Sequence, residues 1–190
     1  MRDHIIRAAF HQSILKDAHF CSDTQVIDEL GIKNGEVRAD IAVLNGKLIG
    51  YEIKTDNDNL KRLPHQVVAY SDVFEKVYIV TGSKHLDNVI KVIPEWWGIY
   101  LIEISSNGDP YFSSFRKARV NKKRNAYSLA QLLWKDELAE ILNKVLNQTV
   151  ARRTTKTDMY DLLASNFSIN KVSKLVLKYM KTRNSWRINR

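Results

Sequence analysis

One cysteine, three prolines and seven glycines in 190 residues remove several possibilities at once. The lone Cys21 has no partner for an internal disulfide, so the chain reads as the product of a reducing compartment and the thiol as buried or incidental. The few glycines form no phosphate-cradling loop, which sets aside an NTPase. No apolar run is long enough to span a bilayer, and the opening Met1-Arg-Asp-His-Ile-Ile-Arg7 is too polar for a secretory signal. The expectation is a cytoplasmic protein with no membrane partner. The five histidines (His4, His11, His19, His65, His85) show no pair at metal-ligand spacing, so zinc is set aside too.

Acidic residues are scarce in the second half. Residues 1–109 carry 12 Lys/Arg against 16 Asp/Glu, whereas residues 110–190 carry 18 against 5, for a net charge of +9. An acidic half followed by a strongly basic one fits a protein that handles a polyanion. The basic connector Arg116-Lys-Ala-Arg-Val-Asn-Lys122-Lys123-Arg124, with Arg152 and Arg153 beyond it, supplies the candidate phosphate contacts.

Hydrophobic periodicity gives the element order. Ile5, Ile6, Ala9, Phe10, Ile14 and Leu15 space a helix over 3–16. Strands are predicted at 25–32, 36–44 and 47–55. A helix is predicted over 59–74, in which Pro64 marks either a short leading turn or a true helix start near Leu63. A buried strand (76–81), a short helix (84–92, stopped by Pro94), a strand (98–104) and an edge strand (111–115) follow. Past residue 116 come helices at 128–146, with Ser128 as N-cap, and near 157–164 and 169–183. This is an α/β chain with a mixed central sheet over 1–115 and a basic, helical region over 116–190 that serves either as a nucleic-acid grip or as core-packing helices. Trp96-Trp97 fits core or lid packing.

What is present in that sheet is unusual. Asp40 sits in one apolar run, Glu52 and Lys54 in the next, and Asn45-Gly46 turns between them. Charges inside buried strands are costly unless paired or holding a metal. Parity decides whether they meet. A two-residue hairpin pairs Leu44 with Lys47 and sets Asp40 and Glu52 on opposite faces. A three-residue loop, Asn45-Gly46-Lys47, pairs Leu44 with Leu48 and Asp40 with Glu52, with Gly46 supplying the positive φ. The three-residue loop is predicted, with Asp40, Glu52 and Lys54 on one face and Ile41, Val43, Ile49, Tyr51 and Ile53 on the other. Gly50 leaves room beside the site. Two carboxylates suit Mg²⁺ (or Mn²⁺), and Lys54 suits positioning a water or stabilising charge on a phosphate.

Asp40…Glu52-Ile53-Lys54 on neighbouring strands, after a helix and a strand, resembles the PD-(D/E)XK nuclease superfamily; Ala39 stands where a proline is common. Gln66-Val-Val-Ala-Tyr70 resembles the Gln-x-x-x-Tyr element of its RecB-like members. More narrowly, Arg38-Ala-Asp40-Ile-Ala, Arg62-Leu-Pro-His-Gln66 and Pro94-Glu-Trp-Trp-Gly98 resemble a family of uncharacterised bacterial and phage proteins in that superfamily. The resemblance implies a restriction-endonuclease-like αβββαβ core and a metal-dependent nuclease, DNA preferred, in a bacterial or phage-infected cell. It implies Asp40, Glu52 and the Ile53 carbonyl as metal ligands and Lys54 as the catalytic lysine, with Gln66 and Tyr70 assisting. A further upstream acid is common in the family. Glu29 is favoured, because Glu36 lies roughly 13 Å along the strand from Asp40. Asp56 and Asp58 are outer-shell candidates, with helix capping the other reading of Asp58. An inactive nucleic-acid-binding module on the same scaffold is the alternative.

Overall fold

The computed structural model describes residues 3–146, 151 and 153–183. Six strands, β1 (Gln25–Ile32), β2 (Val37–Leu44), β3 (Leu48–Lys54), β4 (Lys76–Gly82), β5 (Gly98–Ile104) and β6 (Pro110–Arg116), lie in sequential order in one sheet. The pairs β1–β2, β2–β3 and β5–β6 are antiparallel, and β3–β4–β5 are parallel. Parallel neighbours need a crossover. Helix α3 (Leu63–Val73) provides the first, and α4 (Leu86–Val92) the second.

The helix expected over 3–16 is two. Helix α1 (Asp3–Gln12) stops where the Ser13 hydroxyl donates to the Ala9 carbonyl, and α2 (Lys16–Phe20) follows after Leu15 has turned inward. The helix expected over 128–146 also divides. Helix α5 (Ala126–Ala130) is capped by Asn125, whose side chain accepts from the Ser128 amide; Ser128 itself is buried and is not the cap. Helix α6 (Lys135–Leu146) begins where Glu137 accepts from the Trp134 amide. Helices α7 (Lys156–Asn166) and α8 (Ile169–Lys181) are capped by Thr155 and Ser168. Cys21 is exposed, contrary to a buried thiol. Among the described residues no helix is long and apolar enough to cross a membrane.

The sheet has two cores. On one face, Ile6 and Phe10 of α1 pack on Ile41, Val43, Tyr51 and Ile53, with Phe10 edge-on to Tyr51, Tyr100 and Phe112 at 5.0–5.7 Å. On the other, α3 covers Ala42, Leu44, Leu48 and Ile79. Residues of α5–α8, among them Leu129, Ile141, Tyr160 and Val176, belong to that same buried cluster. The basic second half is therefore amphipathic: its apolar side completes the core and most of its lysines face out, while Arg124 and Arg183 turn inward to Glu75 and Glu137.

The turn after β2 has three residues. Leu44 pairs with Leu48, and Gly46 has φ +82°. Ile41, Val43, Ile49, Tyr51 and Ile53 face α1, as parity requires. Gly50 makes room for a ring and not for the site: a Cβ there would lie 2.8 Å from Phe74. Gly50→Ala is expected to cost about 1–3 kcal/mol in urea denaturation, with part recovered in the double variant Gly50→Ala/Phe74→Leu.

Candidate functional site

The first two ladders break at one place. Along β1 and β2 the register runs through Asp28↔Ile41, resumes at Leu30↔Ala39, and omits Glu29 and Asp40. Glu29 has φ +55°, a left-handed conformation that costs a side-chain-bearing residue roughly 1–2 kcal/mol. There both strands change face. Ile27, Ala42 and Leu44 bury under α3 on one side of the break, and Leu30, Ile32, Val37 and Ala39 do so on the other. Strict alternation puts residues 27 and 30 on opposite faces, so the break reverses the alternation. The β2–β3 ladder likewise ends at Ile41↔Tyr51. Asp40 and Glu52 stand just past that last pair, where the strands part.

Side chains take over where the ladder stops. Asp40 Oδ2 accepts from the Ile53 amide at 2.7 Å, and the Tyr70 hydroxyl accepts from the Asp40 amide at 3.2 Å. Glu52 is fully buried. Its Oε1 accepts from Gln66 Nε2 at 2.7 Å and from Lys54 Nζ, and its Oε2 from the Tyr70 hydroxyl. Spacing of four residues on α3 brings Gln66 and Tyr70 to one face, and both reach Glu52. The Gln66 amide must turn its nitrogen to the carboxylate, which leaves Oε1 buried with no donor among the described residues.

Arg7 of α1 closes the group from the opposite face of the sheet. Its guanidinium meets Glu29 at 2.5 Å, Asp40 Oδ1 at 3.3 Å and Asp3 at 3.4 Å. Burial alone would lower the Arg7 pKa, but these carboxylates more than offset it, and the cation is held firmly. Burial, and after it the charge of Glu52, push the Asp40 carboxyl up to about 7, against the pull of the Ile53 amide, Arg7 and Lys54. Burial and the two acids also keep the Tyr70 phenol protonated, a donor to Glu52.

Asp40, Glu52, Ile53, Lys54 and Gln66 line a cleft of about 480 Å³ together with Asp3, Glu29, Glu36, Arg38, Asp58, Arg62 and His65. Among the acids named for the upstream position, Glu29 sits at the rim against Arg7 and Arg38, while Glu36, also on the wall, pairs with His65 at 3.1 Å. Asp58 caps no helix: it accepts from the Thr55 amide and hydroxyl, both at 2.7 Å, and closes the turn after β3. Trp97 is core.

The basic residues expected to grip a polyanion are dispersed. Lys122 and Lys123 are exposed on a connector pinned to the far end of α3, where Asn121 donates to the Ser71 and Phe74 carbonyls. Arg124 is turned inward, 3.6 Å from Glu75 and donating to Ser173 at 2.9 Å, so its guanidinium ties the connector to the core. Arg153 is exposed, and Arg152 lies outside the described residues. Lys54, Arg38 and Arg62 are the cations that line the cleft, with Arg7 against Asp40 beside it, and sequence reading singled out only Lys54. One signal was available: Arg62 precedes Gln66 by four residues. Arg7 carried none, because its partners lie on distant strands.

With this geometry in hand, the relatives can be placed. The family model described as bacteriophage P4 protein cII matches residues 2–188. The chain belongs to that family. Protein cII of Enterobacteria phage P4 is 32% identical over 183 residues, which cover 96% of this chain and 68% of that protein. Among solved structures, SfsA of Pyrococcus furiosus, in complex with Ca²⁺, aligns with 13% identity over 60% of this chain and 63% of its own, with a TM-score of 0.38. That resemblance is too distant to carry an argument about this family.

Because Asp40 has its proton held to about pH 7 in the fold and loses it near 3.8 when unfolded, the folded state binds the extra proton between those values. Metal-free stability therefore falls as pH rises from about 4 to about 7 and then levels. Chemical denaturation in EDTA across that range is expected to show this slope, and Asp40→Asn to flatten it. Tyr70→Phe leaves Glu52 Oε2 and the Asp40 amide without a partner and is expected to cost about 1–3 kcal/mol at pH 8.

Proposed function

We propose that this protein is a metal-dependent nuclease of the PD-(D/E)XK type that hydrolyses phosphodiester bonds in nucleic acid, DNA in preference to RNA. The observation that carries the reading is the convergence of Lys54, Gln66 and Tyr70 on buried Glu52, beside Asp40, at the point where the strands part. A purely structural acid at that depth would be simpler to replace by an apolar residue.

The donor set fits Mg²⁺ or Mn²⁺. Asp40, Glu52 and the Ile53 carbonyl would hold the ion, all hard oxygen donors. Among the described residues no group of three or more His, Cys, Asp and Glu is arranged to cage a metal. Mg²⁺ usually keeps several waters and completes its shell with substrate oxygens. When bound, the ion lowers the pKa of a coordinated water and neutralises charge growing on the phosphate.

The chain's own groups do the rest. Gln66 and Tyr70 fix the orientation of Glu52, and Tyr70 also fixes the backbone of Asp40. Arg7 and the Ile53 amide hold the two oxygens of Asp40. Lys54 places an ammonium beside Glu52, where it orients the attacking water and offsets negative charge on the phosphate.

One observation favours a second reading, a module that binds nucleic acid without cutting it: both Glu52 oxygens already have donors within the chain. Plasmid and oligonucleotide cleavage with Mg²⁺ or Mn²⁺ separates the two. The nuclease is expected to cut with either ion and to lose at least a hundredfold in rate in Asp40→Ala and in Lys54→Ala, consistent with loss of a transition-state charge partner. Either ion should also raise the melting temperature of the wild type and not of Asp40→Asn. Cleavage that survives both alanine substitutions refutes this assignment.

A further inference from the structure

The acids of the cleft wall are answered within the chain. Glu29 and Asp3 meet Arg7, Glu36 meets His65, and Asp58 takes two donors from Thr55. The wall side chains left without a close partner are two arginines, set among these acids. Arg62 is exposed and forms no ion pair among the described residues. Arg38 is more than half exposed, and its one carboxylate contact, Glu29, is 3.6 Å away and itself held more closely by Arg7. Long pairs of this kind in solvent contribute little and exchange readily for another anion.

The two arginines flank the carboxylates. Arg38 lies two residues before Asp40 on β2. Arg62 is the N-cap residue of α3, four residues before Gln66 and on the side that carries the donors to Glu52. Their planar forks suit phosphate oxygens. Lys122 and Lys123, by contrast, sit at the other end of α3, an 11-residue helix and so about 16 Å from Arg62, or roughly five phosphates along a strand.

We infer that Arg38 and Arg62 grip the backbone phosphates on either side of the one presented to Asp40 and Glu52, so that a nucleic-acid strand crosses the cleft from β2 to the start of α3. The inference rests on the nuclease reading only for what happens to the central phosphate. Strand binding by the two arginines is separable from cleavage.

The test is binding of fluorescein-labelled single- and double-stranded DNA and RNA oligonucleotides by the full chain in EDTA, read by anisotropy over a series of salt concentrations. Arg38→Gln and Arg62→Gln are each expected to weaken binding roughly five- to tenfold and to lower the salt slope by about one, since each removes one phosphate contact. The Lys122→Gln/Lys123→Gln variant should change affinity less than either. Circular dichroism melts should confirm that the arginine variants remain folded. Wild-type affinity and slope in the Arg38→Gln/Arg62→Gln double variant overturn the inference, as does a wild type that binds none of the oligonucleotides. Arginine-dependent binding without cleavage in Mg²⁺ or Mn²⁺ sinks the nuclease reading and leaves the strand path standing. Cleavage that persists at full rate in the double variant does the reverse.

Discussion

A carboxylate with no exposure to water must find donors for both of its oxygens, and Glu52 finds three. Much of the local structure serves that requirement. Helix α3 lies across the sheet so that two of its polar side chains, four residues apart, reach one acid. The Tyr70 hydroxyl spans from Glu52 to the amide of Asp40 and so ties β2, β3 and α3 together. Lys54, two residues along the same strand, shares the face of Glu52 and neutralises it. Removing one donor leaves a charge in the interior with its partners reduced.

The second constraint is the reversal at Glu29 and Asp40. A sheet that alternated without interruption would pair Asp40 in the ladder and expose its side chain on one face only. The left-handed backbone at Glu29 turns both strands over together. Asp40 then lies between the two cores, where Arg7 approaches from α1 and the Ile53 amide from β3. The site is thus built where secondary structure fails locally, and side chains satisfy the backbone groups that the ladder releases.

Charge is organised on the same principle at larger scale. The basic second half reads in sequence as a clamp or as core-packing helices; its apolar residues complete the core under α3, and Arg124 pairs with Glu75 and Ser173. The cations that line the cleft come instead from the acidic first half. A net charge counted along the chain says which half is positive. It does not say which arginine faces which acid.

Some of this was legible in the residues themselves. Period-two patterning located the strands, the Asn45-Gly46 dipeptide with parity gave the three-residue turn, and the spacing of Gln66 and Tyr70 placed them on one helix face. These are local properties, determined by bond geometry and side-chain alternation within a few residues. Helix breaks at Ser13 and between Ala130 and Lys135 were missed because single side-chain hydrogen bonds and the burial of Leu15 decide them. The sequence by itself determined the order of elements and the pairing of Leu44 with Leu48. The tertiary structure alone decided that Glu29 reverses the sheet, that Arg7 crosses to Asp40, and that Arg38 and Arg62 share a cleft with Glu52. Each of those depends on residues far apart in the chain, whose approach is set by the packing of two cores on one sheet and by no pattern within either segment.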